Sequence, residues 1–265
     1  MTNIRLHIAY DGTDYVGWQR QIKEHGKSVQ GELEKALSLV LHEEVSLIGA
    51  GRTDTGVHAR EQIANFHTKC SIPPANIPQA LLGFLPDDIV VWQAEEVAED
   101  FHSRFTPHIK TYAYNMISDN TIMPWNRRYN YFLRKEPDWS IIEEATKLFI
   151  GKHNFKAFCA TGSSANTYER EIIDCKLVKI QPCLDLLPWQ QTGETYVIEV
   201  SGRGFLYKMV RIITGSLLKA GLGKISIDDI KEALQNPVKI IAPGMPAQGL
   251  FLKSIVYDQD KEETS

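Results

Sequence analysis

The chain has 265 residues, 43% of them hydrophobic and 23% charged, with a formal net charge of −4. That length and apolar share exclude a disordered or fibrous chain and allow one large domain or two small ones, since domains most often run to about 100–150 residues. The negative balance counts against a nucleic-acid partner in bulk, but charge distribution matters more than its sum: acids crowd into 87–100 and 258–263, while Arg127, Arg128, Arg134, Lys135 and Arg203, Lys208, Arg211, Lys219 form basic groups.

In chain order, Ile4, Leu6, Ile8 and Tyr10 alternate as a strand that stops at a turn, Asp11-Gly12. Ser28 opens a helix whose Val29, Leu33, Ala36, Leu37, Val40 and Leu41 share one face. Strands are expected at 45–48 and 62–66, a short helix after Asn76 and Pro78, and a strand at 89–97, so the first third reads β-α-β-β-α-β. After a crossover at 101–111, marked by Pro107, IKTYAYNMIS alternates as a strand. Asp138 then caps a helix that turns Trp139, Ile142, Ala145, Leu148 and Phe149 inward. The stretch ATGSSANTYERE reads as a mobile loop, followed by strands at 175–180 and 195–201. A long, mostly buried helix is expected over GFLYKMVRIITGSLLKAG, a further helix capped by Ser226, and a closing strand at 251–257. Two α+β halves of related plan are therefore expected, 1–106 and 107–258, with an acidic disordered tail at 259–265.

Cys70, Cys159, Cys175 and Cys183 form no C-x-x-C pair, and the eight histidines supply no missing zinc partners, so reduced thiols and no structural metal are expected. The N-terminus enters a strand pattern without a basic segment and apolar run, and no stretch of about eighteen apolar residues occurs. The expectation is a cytoplasmic protein without a secretory signal or membrane span.

The most unusual segment is GAGRTDTGVHA, where three glycines, an arginine, an aspartate and two threonines follow a short strand. Such a run is built for backbone bends. On its own it supports two readings, a tight turn whose Asp54 accepts backbone hydrogen bonds or a reactive carboxylate; its glycine spacing does not match a dinucleotide loop. AYDGTDY invites comparison with aspartyl-nucleophile phosphatases, but Ala9 stands where the nucleophile would be, so a magnesium-dependent phosphatase using Asp11 is a distant alternative. His58 is expected to hold its loop by hydrogen bonds, and His67, His102 and His108 have no catalytic role. Arg60, Arg104, Arg127 and Arg128 read first as solvated surface, with phosphate contact as the alternative.

YDGTDYVGWQ, SVQGELEKAL, GAGRTDTGVHA, LPDDI, FHSRF with KTYAY, GKHNFKAF, GFLYKMVRIITGSLL and QGLFL occur in the order seen in the tRNA pseudouridine synthase A family, which the chain resembles from about residue 5 to residue 257. The resemblance implies an α+β fold of two similar ferredoxin-like or RRM-like halves sharing a mixed, mainly antiparallel sheet with helices on one side. It implies conversion of uridine to pseudouridine at nucleotides 38, 39 and 40 of the tRNA anticodon stem-loop by base flipping, with no cofactor and no metal, in a homodimer. Residue by residue, it implies that Asp54 is the essential carboxylate and that Arg52 helps extrude the target nucleotide. Tyr112 would stack on the base, and Arg211 would pair with Asp54. The chemistry suits these types: one ionised carboxylate serves as nucleophile at the ribose or as base, an arginine keeps it charged, and an aromatic face tolerates a turning base. Arg211 snorkelling from a buried helix and Tyr112 or Tyr114 serving as core remain the alternative roles. Arg170 stands between Glu169 and Glu171, an acidic setting for RNA contact. A module that binds tRNA on the same fold without modifying it is the competing reading.

Overall fold

The alternation of Ile4, Leu6 and Ile8 yields β1 (Thr2–Tyr10), with all three side chains buried. The computed structural model describes residues 1–20, 26–119, 123–180, 193–238 and 240–261; Cys183 and residues 262–265 of the expected tail lie outside them. Helix α1 (Val29–Leu41) starts where Ser28 Oγ accepts the Gly31 N–H, and it buries Val29, Leu33 and Leu37. Then come β2 (Ile48–Gly49), β3 (His58–Thr68), α2 (Ile77–Leu81) and β4 (Ile89–Val97). The chain continues through β5 (His108–Ser118), β6 (Tyr131–Leu133), α3 (Trp139–Thr146), β7 (Gly151–Asn154), β8 (Glu169–Ile180) and β9 (Glu194–Gly202). Helices α4 (Met209–Gly221) and α5 (Ile227–Gln235) and strand β10 (Leu250–Tyr257) complete it.

Two compact units emerge: Met1–His108 together with Phe251–Ser265, and Ile109–Leu250. In the first, the sheet order is β4-β1-β3-β10, with β2 on β3; every pairing is antiparallel except β10 with β3, where Phe251 faces His58 and Leu252 faces Ala59. The core is Ile4, Leu6, Ile8, Phe66, Ile77 and Leu81 with the α1 stripe. In the second, the order is β5-β9-β8-β7, all antiparallel, with β6 parallel to β5. Its core gathers Ile142, Phe149, Phe155, Phe158, Val200, Ile213, Leu217 and Ile230. Helices α3 and α4 cross closely: a Cβ on Gly221 would lie 2.8 Å from Ile142 Cγ1 and 3.0 Å from the Asp138 carbonyl oxygen.

Several boundaries depart from the sequence expectations for local reasons. The closing strand, read with the second half, is counted with the first unit, where Phe251 and Leu252 pair with His58 and Ala59 of β3. Val45 and Leu47 are buried outside a strand, since their N–H groups go to Ser38 Oγ and Glu34 Oε1 of α1. The long helix begins at Met209, not Gly204: Lys208 has a φ of +56°, and the Tyr207 carbonyl accepts from the Ala160 N–H. Glu169, Arg170 and Glu171, read as the end of a loop, open β8 opposite the short β7. Trp139 and Leu148 are only half-buried, Trp139 stacking on Tyr196 at 3.6 Å. Gln259–Lys261, read as disordered, forms a turn in which Asp260 accepts from the Arg5 guanidinium at 2.9 and 3.0 Å. Cys70, Cys159 and Cys175 are free thiols; no helix of the described residues is long and apolar enough to cross a membrane.

Candidate active site

A loop, 50–57, leads from β2 into β3, and a second loop, 10–18, holds it largely by backbone groups. The Trp18 N–H donates to the Thr53 carbonyl at 3.1 Å, the Gly56 N–H to Tyr15 O at 3.3 Å, and Thr55 Oγ1 to Val16 O at 3.0 Å. Tyr10 Oη bonds Thr53 Oγ1 at 2.8 Å, and Gln62 Nε2 donates to Gly51 O at 3.0 Å. Burial pushes the Tyr10 phenol pKa up, so it stays a neutral hydrogen-bonding group. The Val57 N–H closes the turn on Asp54 O at 3.1 Å, with Gly56 at a φ of +74°. Thr53 is thereby buried, Asp54 half-buried and Arg52 exposed.

Glycines explain why two chain segments can lie this close. A Cβ on Gly17, whose φ is +113°, would stand 2.5 Å from Thr53 O, and one on Gly12 only 2.0 Å from Val57 O. Asp11 has a structural place in the same device: its Oδ1 accepts from Thr13 N at 3.0 Å and lies 3.0 Å from His58 Nδ1. That nitrogen is also 3.1 Å from the Gly12 N–H. One lone pair cannot serve both, so an Nδ1-bare ring accepts from Gly12 and a protonated one pairs with Asp11; either way His58, fully buried, holds the two loops.

In the second unit, Tyr112 lies on β5 opposite Val200, 8% exposed, with its ring edge-on to Phe205 at 5.0 Å. Tyr114, two residues on along the strand, is fully buried; its Oη donates to Pro246 O at 2.8 Å, and burial raises its pKa. Both tyrosines are buried: Tyr114 completely, with its hydroxyl bound to a backbone carbonyl, and Tyr112 to 8% exposure against Phe205. Arg211, in the first turn of α4, is half-buried, its Nε donating to Met245 O at 2.5 Å while Met245 N–H returns a bond to Arg211 O at 3.1 Å. Its charge acts on the Tyr114 phenol, favouring the ionised form against burial. The two hydrogen bonds tie the Arg211 side chain and backbone to Met245.

Of the four residues singled out in the sequence, Arg52 and Asp54 therefore share one loop of the first unit, while Tyr112 and Arg211 belong to the second. Sequence reading missed the retaining loop. Its signal was present as YDGTDYVGW, two glycines and two tyrosines at a strand end, and as Gln62, a polar residue at a buried position of β3.

Within the first unit, Asp54 on its glycine-backed loop is a candidate reacting carboxylate. The family model described as tRNA pseudouridine synthase matches residues 7–106 and 145–258. The chain belongs to the tRNA pseudouridine synthase family. It is 42% identical to tRNA pseudouridine synthase A 2 of Clostridium tetani (strain Massachusetts / E88) over 258 residues, 97% of this chain and 99% of that one. It is 41% identical to tRNA pseudouridine synthase A 2 of Clostridium perfringens (strain 13 / Type A) and 40% identical to tRNA pseudouridine synthase A of Thermoanaerobacter sp. (strain X514), each over 97% of this chain and 100% of the relative. Among solved structures, an archaeal box H/ACA sRNP Nop10-Cbf5 complex aligns at a TM-score of 0.34 and 11% identity, over 92% of this chain and 46% of that chain.

Proposed function

We propose that the protein isomerises uridine to pseudouridine at nucleotides 38, 39 and 40 in the anticodon stem-loop of tRNA, with Asp54 as the reacting carboxylate. The full-length match to tRNA pseudouridine synthases A carries this reading. The reaction breaks the N1–C1′ bond, turns the uracil and forms C5–C1′, so no atoms are gained and no electrons exchanged. A base in a stem must first leave the stack, a step assigned to Arg52, and be held while it turns, a step assigned to the Tyr112 ring. Arg211 is assigned as the cation that keeps Asp54 ionised. Asp54 either attacks C1′ or takes the ribose 2′ proton. A substrate deuterated at C2′ separates the two, because only proton abstraction slows measurably. The working form is proposed to be a cytoplasmic homodimer; the exposed Leu82, Phe84, Val90 and Trp92 of the α2–β4 region support self-association.

The test is incubation with an unmodified tRNA transcript, followed by carbodiimide mapping of pseudouridine. Wild type is expected to modify it, and Asp54→Asn to lower the rate at least about a thousandfold with tRNA affinity retained. Undiminished product from Asp54→Asn refutes the assignment. Binding without product from wild type favours the module that escorts tRNA unmodified.

A further inference from the structure

We propose that the turn 102–105 is a second RNA contact, remote from the reacting carboxylate, in which Phe105 stacks on an unpaired base and Arg104 meets a phosphate; this rests on the tRNA reading above. Phe105 is 71% exposed, an outlier for a large apolar side chain at a structured position. Its turn is nailed down on both sides. Phe101 is buried against Tyr257 at 4.9 Å, and Ser103, fully buried, gives its N–H and hydroxyl to Asn65 Oδ1 at 2.9 and 2.8 Å and accepts from Tyr257 Oη at 2.8 Å. Phe105 N–H and Thr106 N–H both return to His102 O. The exposed ring is therefore held out by a rigid base.

The ring also has company. The Arg104 guanidinium lies over it at 5.5 Å and the His102 ring packs against it at 4.4 Å. Among the described residues Arg104 has no carboxylate partner, although Glu99 and Asp100 precede it closely in sequence. His102 Nδ1 accepts the Arg104 N–H at 3.2 Å, so the neutral imidazole carries its proton on Nε2 and offers a second donor. An aromatic face flanked by an unpaired guanidinium and a further N–H matches one nucleotide, base on the ring and phosphate on the cation. The nucleotide must be unpaired, because a base inside an A-form stem offers no face. Asn65, which anchors the turn, is seven residues along β3 from His58, so the contact lies on the order of 20 Å from the start of that strand, beyond reach of the reacting nucleotide.

Phe105→Ala, Phe105→Trp and Arg104→Gln, made in the full chain, test this through tRNA-transcript affinity across a salt series and through kcat and KM for pseudouridine formation. Phe105→Ala is expected to weaken binding about tenfold and Phe105→Trp to restore it. Arg104→Gln is expected to reduce the log–log salt slope by roughly the 0.7–0.9 of one phosphate. All three keep kcat, which a merely structural role would not predict. Unchanged affinity for Phe105→Ala beside normal wild-type modification overturns the contact and leaves the isomerase reading standing. So does a shift in sedimentation in place of RNA affinity, which would mark a protein interface. A wild type that neither binds nor modifies tRNA overturns both.

Discussion

Gly17 shows how a single hydrogen in place of a methyl governs the candidate site. Its φ of +113° is unfavourable for any L side chain, and the missing Cβ leaves room for the Thr53 carbonyl, one residue before Asp54. Gly17→Ala is expected to destabilise the protein by about 2 kcal/mol or more and, because it pushes the Asp54 loop away, to reduce turnover by about a hundredfold. Thermal unfolding and single-turnover kinetics at saturating tRNA measure the two separately. A variant with normal turnover would show that the retaining loop does not position Asp54. Asp54 as a candidate was legible in its own glycine-rich setting and in the ordered motifs; that Gly17 and Tyr10 hold its loop was not, because neither is near it in sequence.

At the scale of elements, side-chain caps and periodicity made the helices readable. Ser28, Asp138 and Ser226 each stand at the predicted N-cap, and Ser226 completes a capping box with Asp229, whose carboxyl the Ser226 backbone and hydroxyl hold below its ordinary pKa. Ser226→Ala is expected to cost about 1 kcal/mol and to lower the melting temperature of the second unit by about 2–4 °C, read by calorimetry, with tRNA modification unaffected at 25 °C. Strands were read less well. β6 and β7 are short and carry no clean alternation, so they exist only because β5 and β8 offer edges to pair with. The 45–48 segment failed as a strand because side chains of α1 captured its N–H groups, a competition that no window of local sequence contains.

Across the whole molecule, charge placement sets a pH dependence in the first unit. His7 is bracketed by Glu61 at 3.1 Å and Glu95 at 2.8 Å; burial disfavours its charge, but the two carboxylates outweigh it and raise its pKa. Glu95 loses by burial and gains more from Arg5 and His7, so its pKa is lowered. A raised histidine stabilises fully below its unfolded value near 6.5 and loses that contribution as pH rises through the folded value. A lowered carboxylate stabilises above its unfolded value near 4.5 and loses it as pH falls through the folded value. The first unit is therefore expected to be most heat-stable between about 4.5 and 6.5, and His7→Gln to flatten the decline on the alkaline side, as melting temperatures across pH 4 to 9 would show. A wild-type curve flat from pH 6 to 9 would remove His7 from this role.

The sequence by itself determined the family, the helices with their caps, the main strands and the identity of the four candidate residues, because periodicity, capping and glycine-dependent turns are local and motif order is linear. Only the tertiary structure decided that the last strand joins the first unit, that the Tyr114 hydroxyl is spent on the Pro246 carbonyl, and that loop 10–18 holds the Asp54 loop. Each of these depends on which distant backbone or side chain occupies a hydrogen-bonding group, and that competition is settled by packing in three dimensions.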